Sequence, residues 1–125
     1  MDWLVDTHAI LWYALDDGRL SKAARSTLEE PSNGLLVSAA SIWEISIKAA
    51  SGKLKVPDHL REMLRLRGFR DLPVSVDHAW RVRELADSAH QDPFDRMLAA
   101  QALVEDLPVI SNDAELDRYG VLRRW

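Results

Sequence analysis

Cysteine is absent from this 125-residue chain, so neither a disulfide scaffold nor a thiolate metal site is available, and a reducing compartment suits it. Long apolar runs are missing too. None approaches the ~20 residues needed to cross a bilayer, so no membrane role is expected. The start of the chain carries Asp2 and Asp6 and no basic segment ahead of an apolar core, so no signal peptide is expected and the cytoplasm is the expected location. There is no Gly-x-x-x-x-Gly-Lys phosphate loop, no Gly-x-Ser-x-Gly and no His-Glu-x-x-His, which leaves NTP binding, a hydrolase triad and a zinc protease without support. Nor is there an excess of positive charge. The net charge of −4 argues mildly against a nucleic-acid binder. That objection fails if several acids gather in one place and a divalent cation covers them, because the bound ion reverses the local sign.

What is present is ordinary globular composition, 47% hydrophobic and 29% charged, in a length that suits one domain (residues 1–125) with a real core. Short apolar runs alternate with helical segments. Trp3 to Val5 reads as a buried strand, followed by a helix from Thr7 or His8 to Leu15 with Thr7 as a plausible N-cap. Ser21 caps a second helix, to about Glu30. Leu35 to Val37 is a second strand, leading at Ser38 into a helix over Ala39–Ala50. A fourth helix is expected over Asp58 to Arg67, a third strand over Leu72 to Val76, and a helix capped by Asp77 and running to about Ser88. Asp92-Pro93 opens a helix to about Glu105, with Pro93 at its first position. Pro108 to Ser111 is the fourth strand, a short helical piece reaches Tyr119, and Val121-Leu122 is an expected edge strand. Such alternation means βα units: an α/β fold with a mostly parallel sheet and helices on both faces.

Three of the runs end alike, in a polar or acidic residue that passes into a helix. The first delivers Asp6. The second delivers Ser38 and, six residues on, Glu44. The fourth delivers Ser111-Asn112-Asp113, and the helix at Pro93 carries Asp92 and Asp95 in its first turn. In a parallel sheet all these strand ends share one edge, where open α/β folds bind ligands. Carboxylates that close repel and raise one another's pKa values, and a divalent cation removes that penalty. The ligands are hard oxygens, which fits Mg²⁺ or Mn²⁺. Such a site can turn bound water into a nucleophile and stabilise charge on a phosphoryl oxygen.

The same stretches resemble a known family. Val5-Asp6-Thr7-His8-Ala9, Ser38-Ala39-Ala40-Ser41-Ile42-Trp43-Glu44-Ile45, Asp92-Pro93-Phe94-Asp95-Arg96-Met97-Leu98-Ala99-Ala100-Gln101-Ala102 and Ile110-Ser111-Asn112-Asp113 look like the successive motifs of PIN-domain ribonucleases. More closely, they are similar to those of the VapC-type toxins of type II toxin–antitoxin pairs. The resemblance runs from residue 4 to the C-terminus. It implies a three-layer α/β/α PIN-like fold with a central, mostly parallel sheet. It also implies Mg²⁺- or Mn²⁺-dependent endonucleolytic cleavage of RNA by metal-activated water, control by a small cognate antitoxin, and a homodimer. Carried over position by position, the catalytic and metal-binding acids are Asp6, Glu44, Asp95 and Asp113. Asp95 is preferred to Asp92 because the family's third acid sits just before a Leu/Ile-Ala-Ala step, here Leu98-Ala99-Ala100.

Each acid also has a plain structural reading. Asp6, Asp92 and Asp113 sit where helix caps sit, and Asp95 could answer Asp92 as a capping partner. Ser41-x-x-Glu44 has the form of a capping box and Glu44 is spaced to pair with Lys48, but Ser38 already offers a cap one turn earlier, which would put Glu44 inside the helix on a face of its own. Ser111 and Thr7 fit as caps or as hydrogen-bonders that orient the acids. His8 reads as a phosphate contact or as a solvated residue. The arginines at 61, 65, 67 and 70, with Arg81, Arg83, Arg123 and Arg124, read as a solvated surface or as contacts to RNA phosphates. Trp12-Tyr13 and Trp43 read as core or interface, and five tryptophans in so short a chain suggest that some line a dimer or antitoxin surface. The rival to a nuclease is a non-catalytic PIN-like interaction module in which the acids are caps only.

Overall fold

The computed structural model describes residues 1–85 and 91–125. The first strand, β1 (Asp2–Val5), leads into helix α1 (Thr7–Ala14) and then α2 (Lys22–Glu29). Strand β2 (Gly34–Ser38) passes directly into α3 (Ala39–Ala50), and α4 (Leu60–Leu66) precedes β3 (Phe69–Leu72). Helix α5 (Val76–Arg81) continues as a 3-10 turn over Val82–Glu84. Helix α6 (Pro93–Glu105), β4 (Val109–Ile110), a 3-10 helix over Ala114–Tyr119 and β5 (Arg123–Arg124) complete the chain. Among the described residues no helix is long and apolar enough to cross a membrane.

The five strands form one sheet in the order β3-β2-β1-β4-β5, and every pairing is parallel. The central strands are covered on both faces, so they read as unbroken apolar runs rather than alternating ones. Within them the side chains still alternate. Trp3, Val5, Leu35 and Val37 pack with Ile10, Ile45, Leu64 and Phe69 on one face. Leu4, Leu36 and Val109 pack with Leu98, Ala99, Leu116 and Tyr119 on the other. Leu4, Val5, Ile10 and Ile110 have no exposed surface, and each such side chain contributes roughly 1.5–3 kcal/mol on burial. The result is the expected helix–sheet–helix layering.

Several local expectations are corrected. Thr7 does not cap α1; Asp6 does, its carboxylate accepting from the backbone N–H of Ala9 at 2.8 Å. At α3 the outcome is as expected: Ser38 is the cap, so Ser41 lies a turn inside the helix and makes no capping box with Glu44. The third strand is Phe69–Leu72, not Leu72 to Val76. At the sheet edge its two middle residues are exposed, so it reads as polar. Ser75, not Asp77, caps α5, sharing a reciprocal pair of bonds with His78. The expected end of that helix at Ser88 lies outside the described residues. Helix α4 starts at Leu60, two residues later than expected. The last strand is Arg123–Arg124 rather than Val121-Leu122, whose Val121 is instead buried in the core.

The strand order places a switch point at the centre of the sheet. From β1 the chain builds outward through β2 to β3, then returns to lay β4 against the other side of β1. The loops leaving β1 and β4 therefore diverge to opposite sides and leave a crevice beyond the carboxyl ends of both strands, which is where open α/β sheets hold ligands.

A carboxylate cleft at the switch point

A cleft of about 370 Å³ lies at that crevice, lined by Asp6, His8, Trp12, Glu44, Lys48, Asp92, Asp95, Asn112 and Asp113. All four acids picked out from the sequence face it, and so does Asp92. A larger cavity of about 610 Å³, lined by residues such as Ile42, Leu64 and Phe69, lies away from these acids. Chemistry, rather than size, selects the smaller one.

Asp6 enters from the end of β1. One carboxylate oxygen caps α1, and the other accepts the hydroxyl of Ser111 from the end of β4. The same Ser111 oxygen accepts the backbone N–H of Asp113 at 3.0 Å. Ser111, with no exposed surface, thus ties the two central strand ends together and fixes both acids. Desolvation by the surrounding protein pushes the Asp6 carboxyl above its ordinary range, against the lowering effect of the Ser111 and Ala9 bonds, with a smaller upward push from the Asp113 charge.

Asp113 caps the following 3-10 helix, accepting from Glu115 N at 3.0 Å. Asp92 is the N-cap of α6, accepting from Phe94 N at 2.9 Å and Asp95 N at 3.1 Å, with Pro93 at the first helical position. Asp95 stands one turn in. Glu44 arrives from α3 and is buried, and Lys48 Nζ donates to its carboxylate at 2.8 Å. That bond, foremost, raises the Lys48 pKa; the charges of Asp92 and Asp95 add to it.

The expectation of a common edge thus holds for every acid, and a structural reading holds beside it for Glu44, which pairs with Lys48, and for three caps. Asp6, Asp92 and Asp113 are caps that also face the cleft. The sequence reading missed Lys48, Asn112 and Trp12 as cleft residues. The one available signal was the Glu44–Lys48 spacing, which looks the same on any solvated helix. His8 is exposed at the rim. Trp12 lies between Trp125, at 5.6 Å between ring centroids, and the guanidinium of Arg19, at 5.0 Å.

Several of the arginines are engaged by neighbours on the surface. Arg65 lies 4.0 Å from Glu62, Arg67 stacks on Tyr13 at 4.5 Å and Arg70 pairs with Asp2 at 3.1 Å. Arg123 is held by Asp117 at 2.9 Å, and Arg124 lies 4.4 Å over the buried Trp3 ring.

Among the described residues no group of three Asp, Glu or His side chains is drawn in tightly enough to cage an ion. The donors nonetheless fit a hard divalent cation. They are carboxylate oxygens, and a hydrated Mg²⁺ takes one or two of them directly and keeps water on its other positions.

A parallel α/β/α fold with an acid-lined cleft at its switch point belongs to the class of open α/β domains that hold their ligands beyond the carboxyl ends of the strands. The sequence matches the PIN domain family over residues 3–122, and the chain belongs to that family. A ribonuclease of Mycobacterium tuberculosis (strain ATCC 25618 / H37Rv), VapC16, is 40% identical over 57 residues, a match that covers 44% of this chain and 40% of that protein's length. Among solved structures, VapBC2 from Rickettsia felis, bound to a DNA fragment from their promoter, superposes with a TM-score of 0.74 at 14% identity, covering 99% of this chain and 98% of that one. A toxin–antitoxin complex from Klebsiella pneumoniae gives a TM-score of 0.60 at 22% identity, covering 90% and 88%. At these identities the two structures speak for the fold.

Proposed function

We propose that this chain is a single PIN domain acting as a divalent-metal-dependent endoribonuclease, the toxin of a type II toxin–antitoxin pair, in the cytoplasm. The observation that carries the reading is the convergence of Asp6, Glu44, Asp95 and Asp113 on one cleft from four separate parts of the chain. The match to a named ribonuclease and the likeness to a toxin–antitoxin complex support it. With the reading come a small antitoxin partner and self-association as a homodimer.

Mg²⁺ or Mn²⁺ bound there would supply Lewis-acid stabilisation of the phosphoryl oxygens and a more acidic water. Asp6 and Asp95 would be its main ligands, and Glu44 and Asp113 would complete the site or hold a second ion. Ser111 fixes the orientation of Asp6, as outer partners of metal ligands do.

The test is cleavage of total RNA by the purified protein in Mg²⁺ or Mn²⁺ and in EDTA, with Asp6→Asn and Asp95→Asn alongside. Cleavage that needs the metal and disappears in both folded variants is the expected result. Full activity in either variant overturns the assignment.

A second reading has one observation in its favour: Asp6, Asp92 and Asp113 each cap a helix. If capping were their whole purpose, the domain would be a non-catalytic interaction module. Its melting temperature would then not respond to Mn²⁺.

A further inference from the structure

Among the described residues that line the cleft, five carboxylates face a single Lys or Arg side chain, that of Lys48. Its bond to Glu44 has the spacing of a common helix-surface pair, which is a minor stabiliser when both partners are solvated. Here the partners differ. The Glu44 side chain is 5% exposed and that of Lys48 33%. The carboxylate is anchored and the ammonium sits at the free end of a flexible stem that opens onto the cleft. Glu44 needs a cation beside it, because a buried carboxylate without one is strongly unfavourable. A divalent ion entering the cleft would meet that need itself and would repel the ammonium.

We propose that Lys48 is a positioning residue with two stations: the Glu44 carboxylate when the cleft holds no divalent ion, and a phosphate of the RNA strand once an ion has taken over the neutralisation of Glu44. This rests on the nuclease reading. The stem carries the charge from one station to the other by rotation about its own bonds, with no change in α3. A lysine ammonium serves a phosphate as a compact point charge. Lys48 also solves a problem of the acid site, which would otherwise repel the polyanion it must admit: the ion's arrival releases a positive charge toward the strand.

The test uses the full chain with Lys48→Met and Lys48→Arg. Mn²⁺ alone is titrated by calorimetry, and an RNA oligonucleotide is cleaved over a range of salt. Lys48→Met, lacking the competing charge at Glu44, should bind Mn²⁺ about tenfold more tightly, the effect of removing a like charge a few ångströms away. Its KM for RNA should rise, and the salt dependence of KM should fall by about one phosphate contact. Lys48→Arg should do the opposite to the metal. Its forked grip on Glu44 is stronger, so Mn²⁺ binding weakens several-fold while the salt dependence returns toward wild type. The Arg variant keeps the Glu44 pair, so its measurement stands even if Lys48→Met does not fold. If the wild type binds Mn²⁺ and cuts RNA but the folded variants match its Mn²⁺ affinity and salt dependence, Lys48 is only a helix-pair residue and the proposal is overturned. A wild type that neither binds Mn²⁺ nor cuts RNA overturns the nuclease reading itself.

Discussion

Helix α6 passes between two polar clusters built on opposite terms. Near its end, buried Gln101 accepts from Ser38 Oγ at 2.6 Å and donates to Pro73 O at 3.3 Å. Beside it, buried His78 accepts from Ser75 N at 3.0 Å on Nδ1, which leaves its Nε2 proton for Glu105, 2.8 Å away. Donors and acceptors match, and the cluster pins the ends of β2 and β3 and the start of α5 to α6. At the other end of the same helix, Asp92 and Asp95 join Asp6, Glu44, Asp113 and Lys48 on one cleft. The first cluster is complete in itself. The second gathers five carboxylates on one cleft, more than the capping of three helices and one helix-surface pair account for, and such concentrations of like charge mark functional sites.

The comparison can be broken from either side. The largest effect is expected for Asp6→Asn and Asp95→Asn. RNA cleavage should fall by more than about 100-fold, since even an outer-sphere partner of a metal is worth 10–100-fold. Melting of the metal-free variants should be unchanged or a few degrees higher, because each removes one repelling charge. A variant that loses stability together with activity would make that acid structural.

Next comes the metal. Mn²⁺ at about a hundredfold over its dissociation constant should stabilise the wild type by about 2.7 kcal/mol, read from thermal melts, and EDTA should reverse it. Gln101→Leu should retain that increment. Its own cost is of the opposite kind: it strands the Ser38 hydroxyl and the Pro73 carbonyl, so stability should drop by about 1–3 kcal/mol while cleavage per folded molecule stays near wild type. Measurable loss of cleavage at full folding would show that the two clusters are not separate.

The smallest effect is a slope with pH. Asp6 holds its proton to higher pH when folded than when unfolded. Its contribution to stability is therefore fully present below the ordinary aspartate value and is lost as pH rises through the raised folded value. Asp6→Asn should flatten that stretch of the metal-free stability curve, and an unaltered curve would mean that the carboxyl is better hydrated than its surroundings suggest.

The legibility of the two clusters differs for a physical reason. The cleft acids were readable because each follows an apolar run or opens a helix, so local sequence carries both the residue and its place at the sheet edge. The Gln101 cluster was not. Ser38 and Gln101 are 63 residues apart, and nothing local marks a glutamine in Leu98-Ala99-Ala100-Gln101 as the partner of a distant serine. The central strands were legible because both faces are buried. The edge strands were misplaced for the converse reason: Phe69–Leu72 and Arg123–Arg124 carry polar residues that an edge tolerates. At α1 the sequence offers both Asp6 and Thr7 as caps, and only the geometry shows that the two oxygens of the Asp6 carboxylate cap the helix and accept from Ser111 together. Lys48 was hidden in its spacing, and only the burial of Glu44 sets it apart.

The most direct measurement is a calorimetric titration of Mn²⁺ into the wild type and Asp6→Asn. If the acids form one metal site, the wild type shows saturable binding and Asp6→Asn loses it while keeping its fold. Equal binding in both proteins, or none in the wild type, would contradict the account.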